Sequence, residues 1–484
     1  MNASPFWIFE CKSFRGFLFF ERSGGVTSHE YRNPMGYGEI GPLIRQYAIP
    51  SIISGLVGAL YNIVDQIFIG QGVGILGNAA TNVAFPFTNM ALALGLLVGV
   101  GASASYSLNL GRNKKDLAGN YIFQGLSLLF LVSLLLMVST RIFLKPLLIA
   151  FGATEKVLPL AYEYMLVINL GMPALMGVAG LTNVIRADGG PKFAMMANLV
   201  GAIINTILDP IFIFVFKWGM TGAGLATIIG QYAGFILCLI YLMNLKSVDQ
   251  KFHLPWPKWT YVKNIFSLGA SPLINQLAFM VTQIVLNNVL TYFGAQSIYG
   301  PEIPLAAVGV ISKVTVIYIS FVIGVSGGAQ PIIGYNYGAK KYDRVKEAYF
   351  KALKPIMICS VITFLIIEIF PKQILMLFGE GSDLYYQFGV KYFRIFCGTI
   401  FLDGIQPLTA FFFTGIGKAL RGTLISLTRQ ILFLVPLIYI FARLFGIEGV
   451  LYAGPISDIA AFVVSVVLIY KEIMDMEKLK NQLA

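Results

Sequence analysis

The sequence predicts an all-α membrane protein with twelve transmembrane helices in two pseudo-symmetric lobes of six helices each. Three observations lead to this fold class. Of the 484 residues, 57% are hydrophobic and only 12% are charged, whereas soluble domains carry about 25% charged residues. The apolar residues form twelve long runs. The second half of the chain also repeats a pattern of the first half.

Each apolar run is long enough to cross the hydrocarbon core of a bilayer, which takes about 20 residues. Gly and Pro interrupt many of the runs, and membrane helices tolerate both residues. The predicted spans are residues 42–70, 80–109, 118–150, 158–187, 192–216, 220–245, 259–293, 304–336, 346–370, 386–415, 419–444 and 448–472.

An internal repeat divides the chain. The segment NLGRNKKD at residues 109–116 recurs 227 positions later as NYGAKKYD at residues 336–343. Six spans lie in each half, so the two copies are parallel and related by an axis along the membrane normal. The predicted organisation is an N-terminal extension and entry segment (1–41), an N-lobe (42–246), a linker (247–258), a C-lobe (259–473) and a tail (474–484). Residues 1–34 are interpreted as a disordered extension or as the product of a misplaced start before Met35.

Basic residues predict the orientation. Most of the Lys and Arg residues between spans lie in the connections on the side of the two termini, including Arg112, Lys114 and Lys340. Cytoplasmic loops carry such an excess. We therefore expect an inner-membrane protein with both termini in the cytoplasm and lipid as its surroundings. The net charge of +12 is spread between apolar runs, so nucleic acid is not a predicted partner.

Four polar residues inside the spans form a candidate cation site. Asp65 and Asp209 lie well within the first and fifth spans, where a charge is costly and marks an ion or substrate route. Asn205 precedes Asp209 by four residues and shares its helix face, and Thr227 adds a hydroxyl in the sixth span. Oxygen ligands suit a hard cation such as Na⁺, and two close carboxylates in low dielectric suit a bound proton. The alternative is that both acids only hydrogen-bond neighbouring helices.

Further polar residues lie outside this group of four. Asn183 is predicted to reach the cation site and support its ligands. Arg186, in the turn IRADGGPK, is expected to face the cytoplasm and lipid phosphates. Lys313 and Asp403 are predicted either to pair within the C-lobe or to line a substrate cavity. Apart from Na⁺, no metal and no cofactor is predicted.

Three motifs resemble the multidrug and toxic compound extrusion family, especially its bacterial drug exporters. These are IPSIISGLVGALYNIVDQIFIG, GLTNVIRADGGPKFAMM and GAIINTILDPIFIF, and the resemblance runs from Leu43 to Lys471. It implies two six-helix lobes forming a V. It also implies a cation site built from an acid in the first helix, Asn-x-x-x-Asp in the fifth and Thr in the sixth. Asp65, Asn205, Asp209 and Thr227 match these positions, whereas residues 1–34, Lys313 and Asp403 are not part of the pattern.

The resemblance implies an antiporter that expels organic cations and drugs in exchange for Na⁺ or H⁺. Two parallel lobes suit alternating access, and we expect a monomer without an obligate protein partner. No nucleotide-binding or hydrolase motif stands in a suitable context, so an enzyme is not predicted. The alternative function is a flippase for lipid-linked oligosaccharides.

Overall fold

The computed structural model describes residues 33–245, 247–248, 253–377 and 381–482. These residues form helices joined by turns, without a strand among them, which confirms the all-α fold class. Within them, eleven helices are long and apolar enough to cross a bilayer, and one bent helix pair supplies a twelfth span. Of the predicted extension, residues 1–32 lie outside the described part of the chain.

Seven helices, α1 to α7, build the six spans of the first lobe. Pro191 stands at the first position of α6, where its missing N–H costs no hydrogen bond. The predicted third span is divided at Phe143 into a long and a short helix. The helices are Ile40–Gly72 (α1), Ile75–Gly111 (α2), Lys115–Ile142 (α3), Leu144–Ala150 (α4), Leu158–Ala187 (α5), Pro191–Pro210 (α6) and Gly219–Leu242 (α7). A π-helical turn, Ile211–Val215, follows α6.

Within the described part of the second lobe, the chain forms ten helices. They are Trp259–Ala295 (α8), Glu302–Gly338 (α9), Tyr342–Ile369 (α10), Pro371–Met376 (α11), Asp383–Phe396 (α12), Ile400–Asp403 (α13), Ile405–Gly415 (α14), Ala419–Leu427 (α15), Val435–Phe445 (α16) and Ile447–Asn481 (α17). A second π-helical turn, Thr428–Leu434, joins α15 to α16.

Two of the predicted spans differ in detail from the helices that form them. The span over residues 386–415 is not one helix, because the chain bends by 46° between α12 and the segment Ile400–Gly415. At this bend a Cβ on Gly398 would lie 2.6 Å from the carbonyl oxygen of Arg394, so the backbone itself is tightly turned there. The last helix also continues nine residues past the predicted end at 472, through most of the predicted tail.

The two lobes meet through glycines that the internal repeat relates. A Cβ on Gly111 would lie 2.0 Å from the carbonyl oxygen of Tyr335, and one on Gly338 would lie 2.2 Å from that of Leu108. Residues 108 and 111 correspond to residues 335 and 338 by the same shift of 227 positions. The contact between α2 and α9 is therefore pseudo-symmetric, and small residues allow the two backbones to touch.

This contact lies on the side of the membrane that holds both described chain ends. Near the start of the chain, Asn336 donates to the carbonyl oxygen of Met35 at 2.9 Å. Near its end, Lys480 pairs with Asp343 at 2.7 Å. The lobes are thus closed against each other on the side of the termini, and a cavity lined by residues of both lobes lies between them.

Candidate ion site and central cavity

Close helix packing in the first lobe assembles the predicted cation ligands. Gly201 of α6 and Gly230 of α7 allow the backbones to touch, since a Cβ on Gly230 would lie 2.4 Å from the carbonyl oxygen of Gly201. One turn after Gly201 and one turn before Gly230, Asn205 Nδ2 donates to Thr227 Oγ1 at 3.3 Å. The Thr227 hydroxyl in turn donates to the carbonyl oxygen of Ala223 at 3.0 Å.

The π-helical turn fixes the C-terminal end of α1 beside α6. Pro210 lacks a backbone N–H, and the helix widens directly after it into Ile211–Val215. A Cβ on Gly72 would lie 2.1 Å from the Ile213 side chain, and Phe68 meets Phe214 edge to face with ring centroids 6.1 Å apart. This packing holds Asp65, one turn before Phe68, against the end of α6.

Asp65 and Asp209 therefore face each other closely enough for their carboxyl groups to interact. Asp209 is fully buried. Both of its carboxyl oxygens, one oxygen of Asp65 and the amide oxygen of Asn205 are buried without a hydrogen-bond donor among the described residues. Buried acceptors without a partner are costly, so this group of oxygens fits a bound cation or proton.

Two tyrosines that the sequence analysis did not single out complete the surroundings of the acids. Tyr61 lies one turn before Asp65 and is electrostatically close to both acids. Tyr164 of α5 is close to both acids as well and interacts with the Thr227 side chain. Tyr61 could have been identified from the sequence, because it lies four residues before Asp65 and therefore on the same face of the helix.

The prediction that Asn183 supports the cation site was wrong. Asn183 lies four residues before the end of α5, on the side of the chain termini, whereas Asp209 lies 18 residues into the next helix. The two helices run in opposite directions, so the two residues differ in depth by about 14 residues, or about 21 Å at 1.5 Å per residue. Asn183 Oδ1 instead accepts a hydrogen bond from Arg186 Nη2 at 2.5 Å.

Arg186 also differs from the prediction, because it faces the second lobe and not the cytoplasm. Its Nη1 donates to Ser51 Oγ of α1 at 2.9 Å. A Cβ on Gly327 of α9 would lie 3.6 Å from this Nη1. Arg186 and Asn183 both line the cavity between the lobes. Their spacing of three residues, on one helix face, could have shown that they act together.

In the second lobe a charge cluster forms around Arg429, which lies in the π-helical turn Thr428–Leu434. Arg429 Nε pairs with Asp403 at 2.8 Å and with Asp458 at 2.7 Å. Thr399 donates to the other oxygen of Asp458 at 2.8 Å. The structure thus pairs Asp403 with Arg429, whereas the sequence suggested Lys313. The Lys313 side chain is exposed and does not line the described cavity, but Asp403 does.

The cavity between the lobes has a volume of about 410 Å³, within the usual range of small-molecule sites. Its wall is mostly apolar and includes the aromatic rings of Phe279, Phe396 and Phe411. Arg186 stands on the wall of the first lobe and the Arg429 cluster on that of the second. The candidate cation ligands Asp65 and Asp209 are not among the residues that line this cavity, so the candidate ion site and the cavity are distinct.

Comparison with known proteins finds a matching family and relatives that align with most of the chain. The sequence profile of the MatE family matches residues 50–211 and 276–440. The multidrug export protein MepA of Staphylococcus aureus is 25% identical over 445 residues, which cover 90% of this chain and 95% of MepA. An FAD transporter of Shewanella oneidensis is 24% identical over 433 residues, or 87% of this chain and 92% of that protein.

The fold is likewise similar to solved structures. The crystal structure of MATE in complex with MaL6 matches with a TM-score of 0.85 and 23% sequence identity, over 92% of this chain and 99% of that chain. This agreement confirms the arrangement of helices in two lobes.

Proposed function

Because the chain belongs to the MatE family of multidrug export transporters, we propose that it exports small organic molecules in exchange for Na⁺ or H⁺. The proposed ion coupling is supported by a group of buried oxygens on Asp65, Asn205 and Asp209. These oxygens lack hydrogen-bond donors among the described residues. A cation or proton placed between the two acids offsets their mutual repulsion and the cost of burying them.

Coupling requires that the ion favours one arrangement of the lobes. Asp65 lies on α1, whose first half packs on the second lobe: Tyr47 and Ala48 belong to the core of that lobe. An ion that draws Asp65 towards Asp209 therefore acts on the helix that both lobes share. The ion and the substrate each shift the lobes only by their difference in affinity for the two arrangements.

The proposed substrates are organic molecules with a cationic group. Two aspartates share one arginine in the cluster around Arg429, so this wall of the cavity is net negative when both acids are ionised. Aromatic rings beside it suit a flat, apolar cation. We further propose that the transporter works as a monomer in the inner membrane with both termini in the cytoplasm.

Transport into inverted membrane vesicles tests this function. A fluorescent organic cation is supplied outside, and a Na⁺ or pH gradient is imposed. We expect one of the gradients to drive uptake by the wild type. Asp65→Asn and Asp209→Asn each remove one carboxylate with little change in volume, so both should reduce the driven uptake at least about tenfold.

Asp116→Asn is the matched control, because it removes an acid from the exposed start of α3, outside the site. It should transport as the wild type does. Full driven uptake by both site variants would contradict the proposed ion site. Uptake that responds to neither gradient would contradict antiport and favour the flippase.

A further inference from the structure

Arg186 is a charged group that the proposed ion coupling does not use. It lies in the last turn of α5 and lines the cavity between the lobes. Its hydrogen bonds in the described structure go to Ser51 Oγ and Asn183 Oδ1, which are both neutral. No carboxylate of the described residues forms an ion pair with it, unlike Arg429, which has two.

The guanidinium is nevertheless held in a defined orientation. Ser51 approaches Nη1 from α1, and Asn183 approaches Nη2 from one turn earlier in α5. Asn183 is itself fixed, since its Nδ2 donates to the carbonyl oxygen of Ala179 at 2.7 Å. A guanidinium carries five N–H donors, so the two bonds to Ser51 and Asn183 leave three for a ligand.

The nearest acid along the chain does not compensate this charge. Asp188 accepts hydrogen bonds from Tyr106 at 2.6 Å, Tyr241 at 3.1 Å and the Ser247 backbone N–H at 3.1 Å. These contacts hold it inside the core of the first lobe. The positive charge of Arg186 is therefore directed at the cavity.

The two walls of the cavity consequently carry net charges of opposite sign. Arg186 makes the wall of the first lobe positive, while Asp403 and Asp458 outnumber their shared partner Arg429 on the wall of the second. An apolar surface with Phe279 and Phe411 lies in the same cavity. This distribution fits a molecule with a cationic group, an aromatic body and an anionic group.

We propose that Arg186 binds a carboxylate of the transported molecule, so that the preferred substrates are amphoteric and not simple organic cations. Arg pairs with carboxylates through two parallel N–H···O bonds, and the donors left by Ser51 and Asn183 permit this geometry. The inference rests on the proposed export function, because it names the substrate class of the same cavity. It does not depend on which ion drives export.

Equilibrium binding tests the inference without any ion gradient. The purified full-length protein in detergent is titrated against tetramethylrhodamine, which carries a free carboxylate, and against its methyl ester, with fluorescence anisotropy as the readout. The two dyes share chromophore and cationic charge. We expect the wild type to bind the acid at least about tenfold more tightly than the ester, as a charge-assisted hydrogen bond allows.

Arg186→Gln should remove this preference by weakening the binding of the acid, whereas binding of the cationic ester should not weaken, because the variant removes a like charge from the cavity wall. Arg186→Lys should retain part of the preference. Arg45→Gln, which removes an exposed charge from α1, is the matched control and should behave as the wild type. Equal binding of acid and ester by the wild type, or an undiminished preference in Arg186→Gln, would overturn the proposal. Loss of gradient-driven transport alone would instead contradict the antiport.

Discussion

At the scale of single residues, hydrogen bonding separates structural acids from the candidate ion ligands. Glu472 is fully buried and pairs with Lys418 at 2.5 Å and with Arg421. Asp188 is equally buried and accepts hydrogen bonds from two tyrosines. Asp209 is as deeply buried as these acids, yet neither of its oxygens has a donor among the described residues. Only the last arrangement leaves acceptors for an ion.

Asn205 offers a test of the ligand set that leaves both acids in place. Its amide oxygen is one of the buried acceptors without a donor. Asn205→Ala should therefore raise the Na⁺ or H⁺ concentration for half-maximal driven uptake by about tenfold, the cost of one lost contact to a charge. Asn198→Ala is the control on the same helix, because among the described residues Asn198 donates to the carbonyl oxygen of Ala194 and is not part of the group around Asp209. An unchanged half-maximal concentration in Asn205→Ala would exclude this oxygen from the site.

The sequence predicts which residues meet around Asp209 better than it predicts which residues line the cavity. Asp65 and Asp209 are visible because an acid within an apolar run is rare, and Asn205 follows from its spacing. Arg186 was misassigned because it stands beside a Gly-Pro turn and resembles a loop residue. Which side of α5 faces the other lobe depends on how the helices pack, and the sequence does not contain this information in a local pattern.

At the scale of helices, the Arg429 cluster joins separate elements of the second lobe. Asp403 ends α13, Arg429 lies in the π-helical turn after α15, and Asp458 lies in α17. The acids are 5% and 3% exposed. The ion pairs therefore hold the bent span to two other helices, beside the cavity.

Loss of Arg429 should destabilise the second lobe. Arg429→Gln leaves two buried carboxylates without their shared partner, at a cost of about 3 kcal/mol, and should lower the thermal unfolding temperature of the purified protein. The triple variant Arg429→Gln/Asp403→Asn/Asp458→Asn removes both charges and should recover most of this loss. If the single and triple variants unfold at the same temperature, the cluster does not act as an ion-paired unit.

At the scale of the whole molecule, the internal repeat predicts the two lobes, and the structure shows that the repeated segments also form the contact that closes them. The shift of 227 positions was visible in two short segments, and it relates the glycines that meet at the closed side. What the sequence could not show is that these segments touch each other. That contact depends on the relative position of the lobes and has no local signature in either segment.

The contact predicts a way to bias the lobes. In Gly338→Ala the added methyl carbon would lie 2.2 Å from the carbonyl oxygen of Leu108. Because this is too close for a real contact, α2 and α9 must move apart. Gly309→Ala is the control in the same helix, since its Cβ meets nothing within 4 Å. Spin labels at the exposed residues 115 and 351 should report a longer distance in Gly338→Ala only. An unchanged distance distribution would contradict the assigned contact.

The central claim is that Asp65 and Asp209 share one cation that competes with substrate through the arrangement of the lobes. The most direct measurement is equilibrium binding of a fluorescent substrate to the purified protein at increasing Na⁺ concentration and, separately, at decreasing pH. We predict that one of these changes weakens substrate binding by the wild type, while Asp209→Asn binds substrate independently of both. A dependence in Asp209→Asn equal to that of the wild type would contradict the account.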